Sequence, residues 1–177
     1  VYMAENLKVT HFRNGKEIAM VMDTASWRTA ESTAFCNYRN DSVNVDLFGR
    51  LYNGYVLTDT SAICPLGWHV PSFDEWTSLM MCLGGKENAG GYLKEAGTLH
   101  WSNPNKTMFT NNTFALPSGG RDRKGGYSRP GIVCNWWVGM DNTIDGLQGI
   151  LLTNETTGVT TIKPDKNAGL SVRCIRN

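Results

Sequence analysis

The sequence predicts a single α+β domain. Three observations point there: one strongly signalled helix over residues 72–83, a succession of short strand patterns between residues 114 and 175, and a length of 177 residues, enough for one sizeable core but short for two. Helical patterns come early and strand patterns late. No internal repeat or low-complexity linker divides the chain, so residues 1–177 are read as one domain.

In chain order, residues 5–12 alternate and Asn14-Gly15 supplies a tight turn before residues 18–22, which predicts an opening hairpin. Residues 23–46 carry turn chemistry and at most a short helix near Trp27. Apolar residues then fall at Phe48, Leu51, Tyr52, Tyr55 and Val56, the one-face spacing of a helix, with Asp46 as its N-cap. Gly54 weakens that helix by about 1 kcal/mol relative to alanine. The clearest helix begins at Ser72, where Ser72 and Glu75 form an S-x-x-E capping box. Its apolar face is Phe73, Trp76, Leu79, Met80 and Leu83, and Gly84-Gly85 ends it. A shorter, glycine-interrupted segment follows around residues 92–95. Strands are predicted over 114–116, 136–138, 149–152, 158–162 and 170–175, with residues 154–157 turning a hairpin.

Composition narrows the function classes. Seventeen basic against 16 acidic residues leave a net charge of +1, which gives no long-range field favouring nucleic acid or an anionic membrane. No apolar run approaches the roughly 20 residues needed to cross a bilayer. The chain starts at Val1 without a charged-then-apolar leader, so a leader or upstream segment is expected to lie outside it. Five cysteines, at 36, 64, 82, 134 and 174, are many for a cytosolic protein and form no CxxC pair, so an exported chain with one or two disulfides is expected.

The ordered series Met3-Ala4-Glu5-Asn6-Leu7, Gly49-Arg50-Leu51-Tyr52, Cys64-Pro65 through Glu75-Trp76, Leu83-Gly84-Gly85, Ala115-Leu116-Pro117, Trp136-Trp137 and Ser171-Val172-Arg173-Cys174 resembles the Fibrobacter succinogenes major paralogous domain family. The resemblance covers nearly the whole chain. It implies a C-type-lectin-like fold shared with formylglycine-generating and sulfatase-modifying proteins, with two main helices packed on small antiparallel sheets with long loops. It also implies a secreted or surface protein of Bacteroidetes-type bacteria, a lipoprotein anchored at the outer membrane through an N-terminal segment. Two departures stand out. Asn44 and Val45 stand where many members carry a second cysteine after the position of Cys36, and Gly54 stands where the family often has Trp.

Cys64 and Cys174 flank the expected core and are the favoured disulfide, with Cys36 to Cys64 or Cys134 as the competing pairing. Cys82, at the edge of the capped helix's apolar face, reads as a buried, inert thiol. Cys134 is the candidate nucleophile if a lowered pKa and a base are present. His11, His69 and His100 have no metal spacing, and His69 reads as a hydrogen-bonded strand residue. Asp74 and Glu75 read as first-turn carboxylates complementing the helix dipole. The loop Asp141-Asn142-Thr143-Ile144-Asp145-Gly146 partly mimics a calcium loop but lacks the twelfth-position Glu, so a surface turn with no cofactor is expected and calcium is the alternative.

For ligand contact, Arg121, Arg123, Lys124 and Arg129 crowd a glycine-rich stretch with Tyr127, an arrangement for an anionic group or simply a solvated hairpin. Asn135, Trp136, Trp137, Asp141 and Asn142 form the stronger cluster, because indole faces stack on sugars or peptide side chains while Asn and Asp orient them. Adjacent strand residues face opposite ways, so one indole is expected buried and the other exposed. The expected function is a binding or adhesion module, and not an enzyme, recognising a host or bacterial surface glycan or protein through loops at 120–165. The alternatives are a variable ligand-binding protein of a diversity-generating retroelement or a pilus-tip adhesin, an enzyme related to formylglycine-generating proteins, and a purely structural domain.

Overall fold

The computed structural model describes residues 1–108, 114–140 and 146–177. It is an α+β arrangement of three small sheets with short helices between them. One sheet holds β1 (Ala19–Met20), β2 (Ala34–Asn37) and β3 (Arg50–Tyr52); a second pairs β4 (Trp68–His69) with β8 (Ile175–Arg176). The third is an antiparallel meander of β5 (Val133–Trp137), β6 (Gly149–Thr153) and β7 (Thr160–Ile162). The expectation of wholly antiparallel sheets fails at one place, since β1 runs parallel to β2.

The opening hairpin closes where Asn14-Gly15 predicts it. Gly15, at φ 84°, carries the turn, Phe12 and Lys16 share a backbone bond of 2.8 Å, and His11 bridges Glu17. Its first arm is not a regular strand: Leu7 donates to the Val172 carbonyl at 2.8 Å and accepts from the Arg50 amide at 3.0 Å, while the Thr10 carbonyl accepts from Ile18 at 2.9 Å. The short helix near Trp27 is α1 (Thr24–Arg28), capped by the Asp23 side chain on the Ser26 amide.

The helix predicted across residues 48–56 is corrected. Its apolar positions are divided among the end of α2 (Val43–Phe48), β3, and the single turn of α3 (Tyr55–Thr58). Asp46 lies inside α2 instead of capping it. Gly49 makes the break: it sits at φ 75°, and a Cβ there would stand 2.7 Å from Asn6 Cβ and 2.9 Å from the Leu7 carbonyl. Beyond it, Leu51 and Tyr52 pair with Cys36 and Phe35 of β2, a fully buried strand that the polar residues around it hide in the sequence.

The capped helix is α4 (Phe73–Cys82), with Ser72 Oγ accepting from the Glu75 amide and the Glu75 carboxylate accepting from the Ser72 amide at 2.8 Å. Trp76 and Met80 are buried and Gly84-Gly85 stops it, both glycines at positive φ. Helix α5 (Lys86–Leu93) begins earlier than the segment expected around 92–95. Gly90 and Gly91 allow its close packing, since a Cβ on Gly90 would meet the Thr157 carbonyl at 2.9 Å. The residues 154–157 join β6 to its antiparallel partner β7 as expected.

Strand β5 organises the core. Its two faces open onto two different apolar clusters, one holding Trp136 with Trp76, Ile150 and Leu152, the other holding Trp137 with Tyr52, Leu170 and Val172. Both sides of this sheet are covered. A disulfide joins Cys64 to Cys174 across 110 residues and ties the segment before β4 to the strand that ends the chain. No helix among the described residues is long and apolar enough to cross a membrane.

Candidate functional site

A cleft of about 640 Å³ opens beside the disulfide. Its floor is apolar, formed by Val56, Ile63 and Cys64, and its walls carry Arg13, Asp59, Trp68, His69 and Glu75. Local chain chemistry sets these groups. The Arg13 amide donates to the Ala62 carbonyl at 3.0 Å, which holds the hairpin turn against the rim. Gly67, at φ 80°, turns the chain after Pro65, so that Trp68 and His69 enter β4 and pair with Arg176 and Ile175. Pro71 and Ser72 then stop the strand and start α4, which delivers Glu75. Gly139 and Met140 complete the rim.

Most charged groups of the cleft are already engaged. Asp59 accepts from Lys16 Nζ at 2.5 Å and from the Ser61 amide at 2.9 Å, and the lysine contact chiefly holds its carboxyl down at about 2. His69 Nδ1 lies 2.7 Å from Asn177 Oδ1, and its Nε2 lies 2.9 Å from Glu75 Oε1. Both ring nitrogens therefore face oxygen acceptors, and the imidazolium satisfies both. The Asn177 contact, then Glu75, raises the His69 pKa against the opposing effect of partial burial. The Glu75 carboxyl is lowered: burial acts to raise it, and the Ser72 amide and His69 outweigh that. The Arg13 guanidinium, by contrast, is exposed and makes no ion pair or hydrogen bond to another described residue.

Trp68 is not among the residues expected from the sequence to bind ligand. Five of the six tryptophans are 1% exposed or less; Trp68 alone is partly open, and it lines this cleft. Its signal in the sequence was weak, because the same segment so clearly encodes the disulfide, the strand stop and the helix cap.

The structure divides the residues expected to bind ligand. The expectation of one exposed indole at 136 and 137 is corrected: both are fully buried, since β5 is covered on both faces. Trp136 Nε1 donates to Asn6 Oδ1 at 2.8 Å and Trp137 Nε1 to the Tyr52 carbonyl at 2.7 Å, so neither offers a free face. Arg121 is also a core group. Its guanidinium donates to the Val21 and Met22 carbonyls at 2.8 Å and lies between the Trp27 and Tyr127 rings, 4.5 and 5.0 Å from their centroids. Arg123, Lys124 and Arg129 are exposed, with Arg123 only 3.9 Å from Asp165. Arg121, Tyr127 and Asn135 do line one shallow groove together. Asp141, Asn142 and the calcium-loop residues 141–145 lie outside the described residues.

The thiols are also placed. Cys36 and Cys134 are buried, and burial pushes the Cys134 thiol up to about 12, with that of Cys36 also raised. The reading of Cys82 as buried is corrected, because it is exposed in the last turn of α4, off the stripe formed by Trp76 and Met80. His69 is hydrogen-bonded as expected, and Glu75 does cap α4. No group of three or more His, Cys, Asp and Glu that could hold a metal ion occurs among the described residues.

Compared with known families, the chain matches the Fibrobacter succinogenes major domain over residues 1–176. No curated protein and no solved structure matches it significantly. A match over nearly the full length carries the assignment. The chain belongs to the Fibrobacter succinogenes major domain family.

Proposed function

We propose that this domain is a secreted or surface-displayed binding module of C-type-lectin-like fold, which recognises a glycan or protein ligand through the Trp68 cleft, whose rim includes Gly139 and Met140. The observation that carries this reading is that the one partly exposed indole of six lines a cleft of about 640 Å³, over an apolar floor and among planar polar side chains. A mostly apolar hollow with a few orienting polar groups is the usual form of a ligand site. The disulfide fits an oxidising compartment. An oxidase-like reading through Cys134 is disfavoured, because a reactive thiol needs its pKa lowered and burial drives this one upward.

Because the other five indoles are sealed, acrylamide quenching of native tryptophan fluorescence reports chiefly on Trp68. Glycan and protein-ligand panels screened with the wild-type chain supply candidates. A true ligand protects the quenchable fraction, and Trp68→Ala together with Arg13→Ala removes the hits. Panels with no hit, or hits retained in full by the double variant, refute the assignment to this cleft.

A further inference from the structure

The groove between the 120–128 turn and the 162–170 segment, about 320 Å³, contains an unsatisfied carboxamide. Asn135 is only 9% exposed, and its Oδ1 is buried without a hydrogen-bond partner. Its Nδ2 makes no hydrogen bond to another described residue either. Buried polar side chains are almost always paired, so an unpaired one at the floor of a groove calls for a partner from outside the chain. The groove is built around this amide. Position 120 is glycine, and a Cβ there would stand 2.6 Å from Asn135 Nδ2.

The remaining polar groups of the wall are engaged. Ser128 Oγ accepts from the Gly120 amide at 2.9 Å, Asp122 Oδ1 accepts from the Lys124 and Gly126 amides at 2.8 and 2.9 Å, and the Tyr127 hydroxyl donates to Asn40 Oδ1 at 2.8 Å. The opposite wall is apolar: Ile162, Pro164, Ala168 and Leu170. A carboxamide offers a donor in one orientation and an acceptor when rotated by half a turn. Its complement is a group with an amide of its own beside a small apolar cap.

The geometry points to a second binding site here, independent of the Trp68 cleft, for an acetamido group. Its methyl packs on the wall of Ile162, Pro164 and Leu170, and its amide hydrogen-bonds the Asn135 carboxamide. The volume lies at the small end of ligand pockets, which begin at about 300 Å³. A single N-acetylated sugar ring or one N-acetylated amino acid presents this chemistry.

Amide spectra of the ¹⁵N-labelled chain, titrated with N-acetylglucosamine, with N-acetylalanine methylamide and with glucose, test the site. The side-chain amide pair of Asn135 and the backbone amides of Gly120 and Gly126 are expected to move with one or both acetamido probes and not with glucose. A response to the sugar alone, or to the amino-acid derivative alone, identifies the source. Asn135→Ala and Gly120→Ala, the second driving a methyl into the carboxamide's space, are each expected to weaken the responding probe at least tenfold, while Trp68→Ala leaves it unchanged. Asn135→Ala keeps or raises the melting temperature, because it removes an unpaired buried amide. No response to either acetamido probe, an equal response to glucose, or full binding by both groove variants overturns the proposal.

Discussion

Replacing Trp136 by alanine tests the claim that this indole is core. The side chain is fully buried and stacks on Trp76 with ring centroids 5.3 Å apart; the Phe114 ring centroid lies 6.0 Å from its own, and the Arg173 guanidinium carbon 5.4 Å from it. An aromatic ring of this size buries about 200 Å², worth roughly 5 kcal/mol at about 25 cal/mol per Å². Alanine retains part of that, and the neighbours relax partly into the gap, so the expected loss is about 3–5 kcal/mol. The lost hydrogen bond adds little, since Asn6 Oδ1 still accepts from Arg173 Nε at 3.0 Å. Trp136→Phe, which keeps a ring but not the N–H, is expected to cost roughly 1–2 kcal/mol. Urea unfolding followed by circular dichroism measures both, with the midpoint compared at constant slope. A loss under about 1 kcal/mol for the alanine variant means that the indole is not sealed between α4 and the β5 sheet, and its assignment to the core fails.

The other expectations concern the disulfide, the thiols and pH. Opening the Cys64–Cys174 link by the paired Cys→Ser change removes a constraint on a 110-residue loop and is expected to cost roughly 5 kcal/mol, read from the same urea curves; a change below about 1 kcal/mol refutes the role of the link. A thiol reagent at neutral pH is expected to label Cys82 in the native chain and to spare Cys36 and Cys134 until unfolding, and fast native labelling of Cys134 contradicts its burial. His69 has a raised pKa in the folded state, so its contribution is complete below the unfolded value of 6.5 and is lost as pH rises through the folded value. Glu75, with a lowered pKa, contributes above 4.5 and loses its contribution as pH falls. The urea midpoint should therefore decline above about pH 6.5 and flatten in His69→Gln, and an identical slope in both proteins counts against the latch between His69, Asn177 and Glu75.

Local chemistry made some of this molecule legible before any coordinates. Ser72, Glu75 and the glycine pair at 84 and 85 fixed a helix at both ends because capping acts over three or four residues. The turn at 154–157 and the break at Asn14-Gly15 were readable for the same reason. The stretch from Phe48 to Val56 was misread because its spacing suits one helical face, whereas the close approach of Gly49 to Asn6 and Leu7 forces the chain into a strand. Strand β2 was missed because its burial is conferred by partners outside its own segment.

The amino-acid sequence by itself determined the class, the family, the capped helix and the favoured cysteine pair. These rest on short-range capping, on turn chemistry and on an ordered series of motifs. Only the tertiary structure decided which indoles meet solvent. Alternation along a strand puts Trp136 and Trp137 on opposite faces, but whether a face is covered depends on elements distant in the chain, here α4 on one side and the Tyr52 and Leu170 segments on the other. The same long-range packing leaves Trp68 open at the cleft and Asn135 unpaired in its groove, and it moves the candidate ligand contacts to those two places.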